Sequence, residues 1–315
     1  MKSLTLKHLR YFDALALHGH FGRAAEACLI SQPALSLQIK DLEEIMGGAL
    51  VERTAREVRL TALGEDLIVR GREILRQVED LDALVRKRAG PFSGRLRIGI
   101  IPTVAPYLMP QIIKSLWHKF PDLVLEPKET ITKSLVHEIL ASRLDVAIVA
   151  LPVSVPELRE FALFDEEFLL VRPAHDADEP VPNPSVLPTM QLLLLEEGHC
   201  FRDQALSFCS STGVNARQIM EGSSLSTLVQ MVGAGMGVTL IPEMAQAFET
   251  RSTEVSIARF TDTPPKRTIG MIWRRTNPLQ DELMEIGALI RRAAGARLDP
   301  QPPIADKSPR NKQTV

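Results

Sequence analysis

The sequence is short of cysteine, with three in 315 residues, and no apolar run approaches the roughly 18 residues needed to span a bilayer. Lys7, His8, Arg10 and Asp13 interrupt the N-terminus before a signal-peptide core can form. The expectation is a cytoplasmic protein without a membrane partner. A formal net charge of -2 offers no bulk attraction to nucleic acid, so any DNA contact has to come from local placement. Cys-x-x-Cys is missing and the seven histidines are scattered, with only His18-Gly19-His20 clustered, so no metal site is expected. Gly233 to Gly237 lacks the Lys-Ser/Thr ending of a phosphate loop and reads as a helix-to-strand turn, so no cofactor is expected either. There are no internal repeats. Hydrophobic residues at 45% and charged residues at 24% are the balance of a globular protein, and the length allows two or three modules.

What is present, first, is a pair of thiols. Cys200 and Cys209 flank the segment Phe201-Arg202-Asp203-Gln204-Ala205-Leu206-Ser207-Phe208. In a reducing compartment a structural disulfide is disfavoured, and paired thiols point to redox chemistry or metal binding. Cysteine is also an ordinary small buried hydrophobe, and Cys28 is read that way. If the intervening segment is helical, the two Cα atoms stand about 13 Å apart, whereas a disulfide needs about 7 Å or less. Joining the sulfurs therefore requires a non-helical segment or local unfolding.

The first sixty residues carry three short helical patterns, over Leu6 to Leu17, Phe21 to Cys28, and from Gln32-Pro33 onward. In the third, Leu35, Ile39, Leu42, Ile45 and Met46 form an inward stripe, while Pro33, Ser36, Leu37 and Lys40 face out. A helix–turn–helix places such an outward face in the DNA major groove. There Gln32 and Ser36 would read donors and acceptors, Leu37 would touch a thymine methyl, and Lys40 would meet a phosphate. Leu50 to Thr61 reads as a two-stranded wing with Arg53, Arg56 and Arg59 as phosphate contacts. An ordinary three-helix bundle with a solvated face fits as well, and charge does not choose: residues 1–60 hold eight Lys/Arg against seven Asp/Glu.

The motifs do choose. Leu9-Arg10-Tyr11-Phe12, Phe21-Gly22-Arg23-Ala24-Ala25-Glu26-Ala27, Ser31-Gln32-Pro33-Ala34-Leu35-Ser36, Glu52-Arg53-Thr54 and Arg59-Leu60-Thr61 resemble the winged helix–turn–helix of LysR-type transcriptional regulators. From Thr61 to about Arg88 a helical pattern repeats Leu67, Gly71, Ile74, Val78, Leu81 and Val85 at coiled-coil spacing. The alternative is a helix packed on its own domain. At 28 residues it would run about 40 Å, long for that purpose, and the resemblance implies pairing through this helix. A dimer presents two reading heads to a pseudo-palindromic operator in double-stranded DNA.

After the hinge-like Gly90-Pro91-Phe92-Ser93-Gly94, strands and helices alternate: strand Arg95 to Ile101, helix Tyr107 to Phe120, strand Leu123 to Lys128, helix Lys133 to Arg143 and strand Leu144 to Val149. The pattern is α/β. By resemblance the chain comprises a winged helix–turn–helix (1–60), a linker and dimerisation helix (61–90), and an effector domain (91–297) of two subdomains like those of a periplasmic binding protein. These would be 91–168 plus 270–297, and 169–269, with the chain crossing near Phe168–Val171 and returning near Gly270. Residues 298–315, rich in proline and polar groups, read as a disordered tail.

Within the family, Gly198-His199-Cys200-Phe201-Arg202-Asp203-Gln204-Ala205 with Phe208-Cys209, Ile101-Pro102-Thr103-Val104 and Arg267-Thr268-Ile269-Gly270 are similar to the hydrogen-peroxide-sensing members. That resemblance implies Cys200 as the peroxide-reactive thiol and Cys209 as the resolving one, joined in a disulfide through a sulfenic acid. It implies activating roles for His199 and Arg267, with Thr103 and Thr132 orienting peroxide. It further implies a homotetramer, RNA polymerase as a partner, and reset by thiol reductants. The expected function is an activator of antioxidant genes rather than an enzyme. Two other readings remain: a LysR-type regulator of a small organic effector with incidental cysteines, and a thiol peroxidase, which would leave sixty residues of DNA-reading module unexplained.

Overall fold

The computed structural model describes residues 3–53, 58–88, 94–183, 186–187, 190–209, 220–260 and 264–298. For 53, 76, 79–80, 82–88, 209 and 296–298 it describes the backbone alone. Two units result, Met1–Pro91 and Phe92–Val315.

In the first, α1 (Leu6–His18), α2 (Phe21–Ala27) and α3 (Gln32–Met46) precede strands β1 (Val51–Arg53) and β2 (Val58–Leu60) and the long α4 (Ala62–Arg88). Each start is capped. Thr5 and His8 make reciprocal bonds at α1, and Ser31 Oγ accepts from the Ala34 amide at 3.3 Å at α3. Phe12, Leu15, Leu35, Ile39, Leu42 and Leu50 form the core. The wing is antiparallel, Val51 opposite Leu60, and Glu43 fastens it to α3 by accepting from the Leu50 and Val51 amides at 2.9 and 3.4 Å. The Thr61 hydroxyl accepts from the Gly64 amide at 3.1 Å and donates to the Ala49 carbonyl at 2.7 Å, joining wing to α4.

Along α4 the expected seam divides. Gly71 faces Leu9 of its own α1, whose Cδ2 would lie 3.3 Å from an added Cβ, so this glycine serves packing within the unit. Further on, Ile74 and Leu81 are left 40% and 60% exposed, two apolar side chains one above the other on the helix face. The Val85 side chain lies outside the described residues.

In the second unit, β3 (Gly94–Ile100), α5 (Ala105–Lys119), β4 (Leu123–Glu129), α6 (Thr132–Leu140) and β5 (Val146–Leu151) alternate before the sixteen-residue strand β6 (Leu158–Pro173). There follow β7 (Leu192–Leu195), α7 (Cys200–Cys209), β8 (Met220–Gly222), α8 (Leu225–Gly233), β9 (Val238–Pro242), α9 (Gln246–Glu249), β10 (Val255–Ala258), β11 (Lys266–Arg274) and α10 (Gln280–Leu298). The strand order is β4-β3-β5-β11-β6-β9-β7-β8, with β10 also on β6. β3 pairs in parallel with β4 and β5, and β7 with β8 and β9. These two parallel cores are joined by antiparallel β6, which pairs with β11 up to Glu167 and with β9 from Phe168. The partner change at Glu167/Phe168 is the subdomain junction within this strand. The expected return near Gly270 falls inside β11, whose first residues, Lys266 and Arg267, are charged and carry no hydrophobic signal.

Candidate redox site and nucleic-acid interface

Cys200 is the first residue of α7, and it is reached through a turn that only glycine takes without strain. Gly198 has φ +98°, and an added Cβ would lie 3.1 Å from Ile131 Cδ1. The helix is held from both ends. Phe201 is buried with its ring 4.8 Å from Phe168, and Phe208 meets Phe260 edge-on at 5.3 Å. Arg202, two residues beyond Cys200, is committed to the Leu195 carbonyl (2.7 Å) and the Glu221 carboxylate (2.8 Å), tying α7 to β7 and β8.

Cys200 and His199 share a small hollow with Ile101, Pro102, Thr103, Ile131, Thr132 and Phe201, too tight to hold a water molecule. Thr103 comes from the turn between β3 and α5, and Thr132 opens α6. Thus the starts of two helices of 9 and 10 residues, α6 and α7, converge on one hollow, and a helix start favours negative charge. The Thr132 hydroxyl oxygen is buried without a hydrogen-bond partner. The Thr103 hydroxyl accepts from Arg267 Nη1 at 2.8 Å, and its carbonyl accepts from Nη2 at 3.1 Å. Arg267 also packs over the Phe201 ring at 5.2 Å. Burial pushes His199 below the ordinary histidine pKa, outweighing nearby Glu196, so the imidazole is neutral and able to accept a proton. The structure therefore gathers Cys200, His199, Thr103 and Thr132 around one space and sets Arg267 directly behind Thr103. Cys209 is the last residue of the same helix; its side chain lies outside the described residues. Cys28 sits elsewhere, half-buried at the end of α2, with its thiol pKa pushed up by burial and by Asp13.

A residue that the sequence did not suggest stands behind Arg267. Glu166 lies opposite it in the β6–β11 register and accepts from Arg267 Nε at 2.9 Å and from the Met244 amide at 3.0 Å. Both side chains are fully buried. Burial raises the Glu166 carboxyl pKa, and the Arg267 guanidinium and the Met244 amide oppose that rise. The only sequence signal was an acidic run, Asp165-Glu166-Glu167, set between the apolar stretches 161–164 and 168–171 of one strand. Beside the hollow, a cleft of about 360 Å³ is lined by Tyr107, Glu129, Ser224, Ser226, Glu249 and His199 among others. There Glu249 accepts from the Tyr107 hydroxyl and from the Ser226 hydroxyl, each at 2.5 Å.

In the N-terminal unit, Gln32, Pro33, Leu37 and Lys40 are exposed on one face of α3 and Ser36 is half-buried there, opposite the buried Leu35, Ile39 and Leu42. Leu37 is 58% exposed, a large apolar side chain left in water on this face. Arg59 is exposed on β2; the Arg53 side chain and all of Arg56 lie outside the described residues.

Residues 6–65 match the bacterial regulatory helix-turn-helix protein of the lysR family, and residues 89–294 match the LysR substrate binding domain. The chain belongs to the LysR family. It is 43% identical over 300 residues to a probable hydrogen peroxide-inducible genes activator of Streptomyces viridosporus, covering 92% of this chain and 94% of that one. To the Escherichia coli K12 DNA-binding transcriptional dual regulator OxyR it is 39% identical over 301 residues, covering 94% and 96%. Among solved structures, a full-length OxyR variant from Pseudomonas aeruginosa superimposes with a TM-score of 0.73 at 33% identity, over 96% of this chain and all of the other. A peroxide-bound OxyR variant from Corynebacterium glutamicum gives 0.64 at 33% identity, over 94% of each. Within the family the chain is OxyR-like. No helix among the described residues is long and apolar enough to cross a membrane.

Proposed function

We propose that this chain is a cytoplasmic, sequence-specific DNA-binding transcriptional regulator that senses hydrogen peroxide through a reversible Cys200–Cys209 disulfide and controls antioxidant genes. The observation that carries this reading is the hollow itself: a thiol at a helix start, a neutral imidazole beside it, and two threonines lining the same space, the hydroxyl oxygen of Thr132 buried and unpartnered. Neutral His199 takes the Cys200 thiol proton. The thiolate attacks one peroxide oxygen, an S–O bond forms as the O–O bond breaks, and the departing hydroxide gains a proton to leave as water. Sulfur is oxidised by two electrons to sulfenic acid and peroxide is reduced. Cys209 thiolate then attacks the Cys200 sulfur, the S–S bond forms as the S–O bond breaks, and the departing hydroxide takes up a proton to leave as water. A cellular dithiol returns both cysteines to thiols by exchange.

Because both cysteines lie in one ten-residue helix, the disulfide cannot form until α7 unwinds, and this coupling turns a local oxidation into a change of shape. The readout is DNA. Two copies joined through α4 present two α3 faces to a pseudo-palindromic operator, with Gln32, Ser36 and Leu37 at base edges and Lys40 and Arg59 at phosphates. A tetramer that changes its dimer contacts on oxidation, and thereby its engagement of RNA polymerase, completes the reading. Oxidation is stoichiometric, one disulfide per chain, as befits a sensor. The test is thiol-trapping mass spectrometry after about one equivalent of peroxide, an amount set by the one-disulfide stoichiometry of the sulfenic route. Wild type is expected to form the Cys200–Cys209 bond, and Cys209→Ser to accumulate sulfenic acid at Cys200. Two free thiols in wild type would refute it.

A further inference from the structure

We propose that Glu166 is a positioning residue for the peroxide reaction: from the subdomain junction it fixes Arg267, and through Arg267 it fixes the direction in which the Thr103 hydroxyl donates. This rests on the reading of Cys200 as the peroxide-reactive thiol. The chain of contacts is continuous. Glu166 Oε2 accepts from Arg267 Nε, Arg267 Nη1 donates to Thr103 Oγ1, and Thr103 lines the hollow with Cys200. Thr103 is 2% exposed, and its oxygen is already used as an acceptor by the guanidinium. The hydroxyl hydrogen is thereby turned away from Arg267. A cation behind a hydroxyl oxygen also makes that hydroxyl the better donor. When the Cys200 sulfur attacks one peroxide oxygen and the O–O bond breaks, charge develops on the departing hydroxide, which then takes up a proton. A donor fixed in advance toward that oxygen lowers the barrier without reorganising.

Arg267 alone cannot hold this arrangement. A guanidinium has five N–H donors and many rotamers, and its setting here depends on the carboxylate that grips its Nε edge. Glu166 is in turn locked by its second oxygen, which accepts from the Met244 amide in the turn that follows β9. Met244 belongs to the half of the sheet built on β7, β8 and β9, whereas Thr103 belongs to the half built on β3, β4 and β5. Glu166 thus makes the donor geometry at the thiol conditional on how the two halves meet. The neighbouring ion pairs of Arg259 with Glu167 and Glu243 brace the same junction at the surface.

The experiment compares wild type, Glu166→Gln, Glu166→Asp, Thr103→Val and the Glu166→Gln/Thr103→Val double variant, each with Cys209→Ser so that oxidation stops at sulfenic acid. Two rates are read at Cys200: sulfenic acid formation with hydrogen peroxide, and alkylation by iodoacetamide, which needs thiolate and access but no donor at a departing oxygen. Glu166→Gln is expected to slow the peroxide reaction about 10- to 100-fold, the scale of a small misplacement at a reacting group, while alkylation stays within about twofold on that same scale. The double variant is expected to be no slower than Thr103→Val alone, since both changes act on one chain of contacts. Glu166→Asp, which keeps the charge but shortens the reach, is read in the same way and serves should the glutamine variant fail to fold. An unchanged peroxide rate, equal losses in both reactions, or additive losses in the double variant would each overturn the proposal. Failure of the wild-type sensor reading is distinguishable, because it would show as no sulfenic acid at Cys200 in the Cys209→Ser parent itself.

Discussion

Unwinding of α7 has to precede the disulfide, and its cost is tunable at an exposed position within the helix. Ten residues from Cys200 to Cys209 form one helix, which holds the two Cα atoms about 13 Å apart, nearly twice the limit of about 7 Å for a disulfide. The backbone between them must leave the helix, and the buried Ala205 and the Phe208–Phe260 contact must yield with it. Ser207 is exposed on this helix, so a change there acts chiefly through helix propensity. Alanine and glycine differ by about 1 kcal/mol inside a helix, which is about fivefold in the balance between wound and unwound α7, with serine between them. Ser207→Ala is therefore expected to slow conversion of sulfenic acid to disulfide by about twofold and Ser207→Gly to speed it by a similar factor. Formation of the sulfenic acid itself should not change, since it happens at the anchored end of the helix. A rapid-quench time course, with sulfenic acid and disulfide counted separately by mass spectrometry, measures both steps. Equal disulfide rates for the alanine and glycine variants would show that the resolving attack does not wait for helix opening, and the reasoning would fail.

Other expectations follow from particular contacts. Lys40→Ala should weaken DNA binding by a similar factor on all sequences and reduce the salt slope by about one; an unchanged slope would remove Lys40 from the phosphate contacts. Leu81→Glu puts a charge on an apolar side chain that α4 leaves exposed, and should shift the chain toward smaller assemblies by light scattering, whereas an unchanged mass would place the pairing surface elsewhere. Gly198→Ala forces a side chain into φ +98° against Ile131, which should cost about 1–3 kcal/mol in thermal unfolding and slow peroxide oxidation; an unaltered melting temperature would contradict the strain. Folded His199 resists protonation because burial lowers its pKa below 6.5. The unfolded chain takes up that proton first as pH falls, so His199 removes stability on acidification through the ordinary histidine range and has no effect well above it. His199→Gln should flatten the stability–pH curve there, and identical curves would exclude this residue as the source.

Much of this was legible along the chain. The inward stripe of α3, the alternation of strands and helices, and the thiol pair are local patterns, and local patterns are dictated by side-chain periodicity and by capping. The sequence also placed Cys200, His199, Thr103, Thr132 and Arg267 in one group, but only through resemblance, since no periodicity links positions a hundred residues apart. Gly71 shows the limit from the other side: its heptad spacing fits a partner helix, yet Leu9 of its own unit is what it meets. Spacing along a helix fixes the direction of a side chain and leaves open what stands opposite.

Residue order alone thus determined the three short N-terminal helices, the strand–helix alternation that follows, the outward face of α3, and the conflict between a helical α7 and a Cys200–Cys209 bond. Tertiary structure decided the rest: that three helix-bearing segments meet at one hollow, that Arg202 is spent on β7 and β8, and that Glu166 grips Arg267. The physical reason is that a buried charge is tolerable only where another strand supplies its partner. That partner is set by strand register across the sheet, a relation between distant segments that is fixed only when the sheet assembles.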